Sequence, residues 1–285
     1  MAGFFPEMWG SKTLYQIKKM YEKTTDLIKT IVDYTPLTLG TKATSYHGPI
    51  LGDLEVVDMP ASVYQDPSKE AITINFNQKK GCPFKVNDIE QAQSNIAMRD
   101  ELTEKAASAL IKGWNRAVSD LAQTSVEDEN NIEIIGTTLA YDDILKVAEM
   151  MDEAEIPQDE RYMLVSPAHK KALMKIEEFI SRDKIPDTNA VKTGVIGEIC
   201  GFTVIPWKTK KVDSNGKFVG TKDKNASVFY SKLAIGFGRQ KEIGAMANNN
   251  PLSADWLVNL YNVFGLVAQI PEYIIQLRDK TVSEG

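Results

Sequence analysis

The sequence predicts an α+β fold organised around one long helix, and three observations predict it. Between Asn87 and Gln123, apolar or small residues recur at Ile89, Ala92, Ile96, Ala106, Leu110, Trp114, Ala117 and Leu121, a stripe of period near 3.6 that no proline interrupts. Ahead of it, Ile72, Ile74 and Phe76 alternate with Thr73, Asn75 and Asn77, the period-2 pattern of a strand with one apolar face. Behind it, short helical and strand patterns follow one another from about Ile132 to Met246, and an apolar, β-rich stretch from Trp256 to Leu277 closes the chain.

Residues 1–49 open with the apolar lead Phe4-Phe5-Pro6 and a helical pattern that puts Leu14, Ile17, Tyr21, Ile28 and Val32 on one face. Such a helix buries one stripe and must dock on its own core or on a neighbouring subunit. Leu14, Ile17, Tyr21 and Ile28 are therefore candidate inter-subunit contacts. From Thr35 to Pro49, with Pro36, Gly40 and Gly48, the chain reads as an extended arm. Residues 50–84 read as a long hairpin in which Leu54 to Val57, extended toward Val63, faces Ile72 to Phe76 across a polar tip. A two-stranded ribbon is marginal in water, so its tip residues Tyr64, Asp66, Lys69 and Glu70 are further contact candidates.

Asn87 with Glu90 reads as an N-cap and capping box for the long helix, which at 1.5 Å per residue would run roughly 50 Å and act as a strut. Gly113 lies inside it, where glycine costs about 1 kcal/mol relative to alanine. Close packing of a strand over the missing side chain is the leading explanation; a hinge in the helix is the other. Further on, Tyr141 to Asp152 is helical, Arg161 to Ser166 is a short strand, and Pro167 opens a second helix to about Phe179. Ile185 to Lys192 is a polar loop, Thr203 to Trp207 a strand, Asn215-Gly216 a hairpin turn and Ser227 to Gly238 another strand and turn. The last stretch, broken at Gly265 and Pro271, should pack back along the long helix.

At 285 residues the chain can bury a core in one large domain or two lobes. Its 43% hydrophobic and 25% charged residues are those of an ordinary soluble protein, and its net charge of −6 argues against a sequence-reading nucleic-acid binder, though not against a protein that encloses nucleic acid. Cys82 and Cys200 read as reduced thiols. Neither a signal peptide nor an apolar run long enough for a membrane span is visible, which places the protein in a cytoplasm without membrane partners.

Chemistry-bearing motifs are weak throughout. Gly194, Gly197 and Gly201 fit neither phosphate-loop nor dinucleotide spacing and read as tight turns. His47 and His169 stand apart with no cysteine ligands beside them, and read as surface or packing histidines. Asp142 and Asp143 open a helix, where carboxylates favour its dipole. Asp213 to Gly216 resembles a calcium loop but lacks the later ligands. The order of the residues picks out no catalytic triad, and no catalytic residue, metal or cofactor is expected.

The order of the parts resembles that of Hong Kong-97-like phage major capsid proteins. Phe84-Lys-Val-Asn-Asp88 followed by Glu90-Gln91 resembles the start of that family's spine helix, and Arg161-Tyr-Met-Leu-Val-Ser-Pro167 its axial strand-to-helix step. Gly194 to Ile205, Val228 to Ala234 and Tyr273 to Leu277 are similar to its later strands. The resemblance implies an N-terminal arm over 1–49, an extended hairpin loop over 50–84, a peripheral domain with the spine helix over 85–130 and 247–285, and an axial domain over 131–246. It further implies a non-enzymatic subunit of pentamers and hexamers that close into an icosahedral virion shell around double-stranded DNA. Such a shell is assembled in the host cytoplasm, with portal and scaffolding proteins as partners. In that family the hairpin lies over a neighbouring subunit and the arm clasps another; these roles map to Asp53 to Lys80 and Phe4 to Tyr34. The absence of a long coiled-coil lead after Met1 suggests a separate scaffold or a trimmed chain. The alternatives are an encapsulin-like nanocompartment shell, or a soluble α+β enzyme with the Ile185 to Gly201 loop over a cleft.

Some members of the family cross-link a hairpin lysine to a distant asparagine. Lys69 lies near the hairpin tip, but no asparagine or glutamate partner can be identified for it. Mass spectrometry of assembled shells should therefore find monomer masses only; a covalent multimer ladder would refute this.

Overall fold

The computed structural model describes residues 27–51, 69–87, 97–135, 138–176, 197–207, 225–250 and 255–279. In chain order these form β1 (Val32–Asp33), α1 (Thr35–Thr38), β2 (Ser45–Leu51), β3 (Lys69–Asn75), β4 (Gln78–Asn87), α2 (Ala97–Thr124), β5 (Asn131–Glu133), α3 (Tyr141–Glu153), β6 (Arg161–Val165), α4 (Pro167–Leu173), β7 (Gly197–Ile199), β8 (Phe202–Pro206), β9 (Ala226–Ser231), β10 (Ile235–Asn250), β11 (Asp255–Ala268) and β12 (Ile274–Arg278). The strands build three sheets. One has the order β1-β10-β11-β4, a second β5-β12-β9-β6-β8-β7, and the third is the pair β2-β3.

The long helix is present as α2, 28 residues or about 42 Å. Its buried band is wider than the sequence stripe: Ala106, Ala107, Leu110, Ile111, Trp114, Val118 and Ala122 are all buried, whereas Ala117 and Leu121 are only partly covered. That band packs on the first sheet, where Trp114 meets Phe237 at 6.4 Å between ring centroids and Phe237 meets Phe264 at 5.7 Å. Asn87 is the last residue of β4, and residues 88–96, with the expected capping partner Glu90, lie outside the described residues, so the expected cap falls outside what the structure describes.

Four further expectations shift. The partner of β3 is Ser45–Leu51, with Ser45 opposite Asn75 and Leu51 opposite Lys69, so the hairpin begins five residues before Ile50 and the segment from Leu54 to Val57 is not in its described ladder. The ladder's far side is also shorter than expected, because β4 leaves the hairpin and pairs along its whole length with β11. Thr35 to Thr38 is one helical turn rather than extended arm, its first amide donating to Asp33 Oδ1 at 2.8 Å. The closing stretch divides: β11 packs along α2 as expected, but β12 joins the second sheet between β5 and β9. β10 likewise belongs to the spine-helix sheet from Ile235 onward.

Ile28 is corrected outright. It was a candidate for contact with a neighbour, yet it is 5% exposed in the chain's own core with Leu27 and Ile31. Polar bonds fasten this segment there: Leu27 N donates to Asn115 Oδ1 at 3.1 Å, and the Thr30 and Tyr230 hydroxyls lie 2.6 Å apart. Burial pushes the Tyr230 hydroxyl well above the ordinary tyrosine range, against the opposing pull of Thr30. The second sheet is covered on both faces, which is why β9 reads as an unbroken buried run. Leu164, Val228, Tyr230 and Ile274 join the α2 core, while Met163, Phe202, Phe229 and Leu277 pack under Ile144, Val147 and Met151 of α3 and Leu173 of α4. Asp143 starts α3 by accepting from Ala140 N at 2.9 Å and Ile135 N at 2.7 Å. Buried Arg161 secures the exit, donating to the carbonyls of Pro157 and Ile156 and pairing with Asp152 at 2.8 Å.

One polar chain ties α4 to the end of β12. His169 is 3% exposed; its Nδ1 lies 2.7 Å from Ser227 Oγ and its Nε2 lies 2.8 Å from Asp279 Oδ1. Asp279 Oδ2 accepts from Asn225 N at 3.1 Å and Asn225 Nδ2 at 2.8 Å. Burial alone would raise the Asp279 carboxyl, but the hydrogen bonds from His169 and Asn225 and the charge of His169 together hold it below the usual carboxylate range. A depressed folded value means that the clamp's stabilisation is fully present above the unfolded value of about 4 and is lost as pH falls through the folded one. Thermal unfolding of the native chain and of Asp279→Asn should thus differ at pH 7 and at pH 5, with the gap closing below about pH 4. A gap of constant size down to pH 3 would mean that Asp279 titrates normally.

Candidate assembly surfaces

Register places the surfaces of the first sheet. Leu260, Phe264, Cys82 and Phe84 point toward α2. On the opposite, outer face β11 and its neighbours bring together Met246, Leu257, Tyr261, Pro83 and Lys85, since Met246 pairs with Asn259, Leu257 with Lys85, Asn259 with Pro83 and Tyr261 with Gly81. One end of this face is covered by the chain's own hairpin: Ile72, Ile74 and Phe76 pack against Tyr34, Tyr46, Val263 and Val267. The approach is close enough to require glycine at 265, where a Cβ would stand 2.5 Å from Asn75 O and 2.7 Å from Ile74 Cγ2. The other end carries Met246 at 56% and Leu257 at 49% exposure; between the two ends the Lys241 ammonium, in register with Val263, donates to the Tyr261 hydroxyl at 2.7 Å.

The sequence candidates distribute unevenly over this frame. Leu14, Ile17, Tyr21, Tyr64 and Asp66 lie outside the described residues, as do the Ile185 to Lys192 loop and the Asn215-Gly216 turn. Lys69 and Glu70 begin β3, paired with Leu51 and Ile50, so both belong to the hairpin's ladder. Gly113 sits mid-helix in α2, and among the described residues the close packing expected over it is absent: an added Cβ would meet only Lys80 Cδ, at 3.9 Å. Instead Lys80 Nζ reaches the Gly113 carbonyl at 3.4 Å from β4, while lying 5.7 Å from the centroid of the Phe264 ring.

Ser227, His169 and Asp279 form a hydrogen-bonded series that sequence order did not reveal, because its members come from β9, α4 and the residue after β12. It is not arranged for nucleophilic catalysis. In a hydrolytic triad the serine binds Nε2 and the carboxylate Nδ1, the reverse of this order, and here Ser227 has 0% exposure and reaches no substrate. A cleft of about 670 Å³ runs between the start of α3 and α4, lined by Leu139, Tyr141, Asp142, Ala168, Lys171 and Lys175 among others; among the described residues no His, Cys or Ser lines it. Among the described residues no group of three or more His, Cys, Asp or Glu could hold a metal ion, and no helix is long and apolar enough to cross a membrane. Cys82 and Cys200 are not joined in a disulfide.

Solved structures share this architecture. The capsid of Ralstonia phage GP4 is similar at a TM-score of 0.66 and 8% identity over 93% of this chain and 91% of that one. A chain from Mycobacterium phage Che8 is similar at 0.59 and 17% identity over 83% and 85%. A virus-like particle from Pyrococcus furiosus is similar at 0.57 and 11% identity over 96% and 99%. At these identities the likeness establishes the fold alone. No curated protein sequence matches the chain. The profile of the family described as phage capsid protein matches residues 97–272, from the first turn of α2 to the approach to β12. That span is more than half of the sequence and takes in α2, β10 and β11 of the first sheet and every strand of the second but β12, so the chain belongs to the phage capsid protein family, as a major capsid protein of the Hong Kong-97-like fold.

Proposed function

We propose that the chain is the repeating, non-enzymatic subunit of an icosahedral phage head, forming pentamers and hexamers that close around double-stranded DNA. The observation that carries this reading is the β2-β3 pair, a two-stranded sheet separate from both others. Such a pair does not hold its shape alone, and among the described residues this one is anchored to the body through Ile72, Ile74 and Phe76. Its outer part fits the uncovered end of the same outer face on a neighbouring copy. The hairpin carries Asp53, Glu55, Asp58, Asp66 and Glu70 against Lys69, and the outer face carries Lys85 opposite Leu257 at its open end, with Lys79 and Lys241 further along it in register with Val263. The arm before Leu27, with Leu14, Ile17 and Tyr21 on one stripe, clasps another copy. An acidic chain suits a wall that lets DNA move during filling, because tight phosphate binding would retard it. Portal and scaffolding proteins complete the assembly in the host cytoplasm, and the product is the virion shell. A nanocompartment around a protein cargo is the second reading, supported by the likeness to the Pyrococcus furiosus particle.

Light scattering and negative-stain microscopy of the protein expressed alone should show closed shells or discrete capsomers. A persistent monomer of 31.7 kDa, even beside a candidate scaffold, would sink the shell reading. Nucleic acid or a protein cargo inside purified native particles separates the first reading from the second.

Gly113 is then a hinge of the spine helix, since packing does not require a glycine there. Gly113→Ala should raise subunit stability by up to about 1 kcal/mol while impairing shell maturation. Variant shells that assemble and expand normally would end the hinge reading.

A further inference from the structure

α3 and α4 lie on the same face of the second sheet, border one cleft, and turn charges of opposite sign outward. The exposed residues of α3 are Asp142, Leu145, Lys146, Glu149, Asp152 and Glu153. Arg161 takes Asp152, which leaves three carboxylates against one ammonium. Around α4 stand Lys170, Lys171 and Lys175, with no acidic residue anywhere from Pro167 to Ile176. None of Asp142, Glu149, Glu153, Lys170, Lys171 or Lys175 forms an ion pair with another described residue. Each face also holds one large exposed apolar side chain, Leu145 at 42% on α3 and Met174 at 41% at the end of α4.

Two faces of opposite charge on one subunit, unpaired among the described residues, with Glu177 and Glu178 following α4 outside them, suit a contact that joins different patches of identical chains. Such a contact closes into a ring when the rotation permits. We propose that the acidic face of α3 docks on the basic face of α4 in the adjacent copy, with Leu145 against Met174 at its centre. This rests on the reading of the chain as a ring-forming shell subunit. The exposed ion pairs contribute little stability singly; they set register and exclude the reverse pairing, while the apolar pair loses water. Phosphate is the weaker match for Lys171 and Lys175, because the Asp142 carboxylate lines the same cleft and repels it.

The test reverses each face in the full chain. Glu149→Lys with Glu153→Lys, and separately Lys171→Glu with Lys175→Glu, should each lower the yield of capsomers or shells at least about tenfold, and all four changes together should restore it to within about threefold of the native chain. Unfolding midpoints within about 3 °C of the native value establish that the subunit itself is intact. A second measurement does not depend on yield. Leu145→Cys with Met174→Cys should give an inter-subunit disulfide ladder on a non-reducing gel, absent from the native chain with its Cys82 and Cys200 alone. Unimpaired assembly of both reversed variants, failure of the fourfold variant to recover, or assembled cysteine variants without a ladder would each overturn the proposal. So would a lysine-reversed variant that assembles normally but holds less DNA, since the basic face would then meet nucleic acid. A native chain that never assembles sinks the shell reading itself, an outcome distinct from all of these.

Discussion

The structure depends on the burial of one face of α2 beneath β10 and β11. Trp114, Phe237 and Phe264 stand in line there, with Leu260 and Ile111 filling the spaces between them. The second sheet contributes Leu164, Val228, Tyr230 and Ile274 to the same cluster, so one apolar core joins both large sheets to the helix. A helix of this length gains little from propensity alone; its stability comes from such tertiary contact. Arg239 lies over the Trp114 ring, its Cζ 5.6 Å from the centroid, and carries charge to the rim of the cluster without interrupting it.

Dependence on that core explains how the base of the arm is held. Leu27, Ile28 and Ile31 are ordinary apolar residues, but they follow a helical face that the sequence could not assign to its own core or to a neighbour. Tertiary context decides. Asn115, a polar residue 1% exposed on α2, is positioned to accept from the Leu27 amide, and Thr30 meets a tyrosine hydroxyl that burial has kept protonated. Leu27 to Ile31 therefore belong to the subunit's own core rather than to a surface offered to a neighbour.

What was legible followed from periodicity. The 3.6-residue stripe announced α2 and α3, and the alternation of Ile72, Ile74 and Phe76 announced β3. The partner of β3 was not legible, because Ser45 to Leu51 holds a glycine and a proline and carries no apolar alternation, and only its ladder reveals it. The place of β12 was equally hidden: Ile274 to Leu277 is apolar on both faces and suits either sheet. No local signal could assemble Ser227, His169 and Asp279, which lie 58 and 110 residues apart in the pairs that bond. The charge faces of α3 and α4 were written in the sequence, but only the burial of Ile144, Val147 and Leu173 shows which sides remain open.

Lys80 gives the hairpin a mechanical connection to the helix. Only Phe76 and Asn77 separate β3 from β4, and Lys80 is the third residue of β4. A load borne by the loop therefore passes within a few residues to an ammonium that touches the Gly113 carbonyl, the position in α2 of lowest helix propensity among its neighbours. The Phe264 ring beside the same lysine steadies that lever against the sheet. On the hinge proposal for Gly113, strain arriving through the hairpin enters the strut at this position.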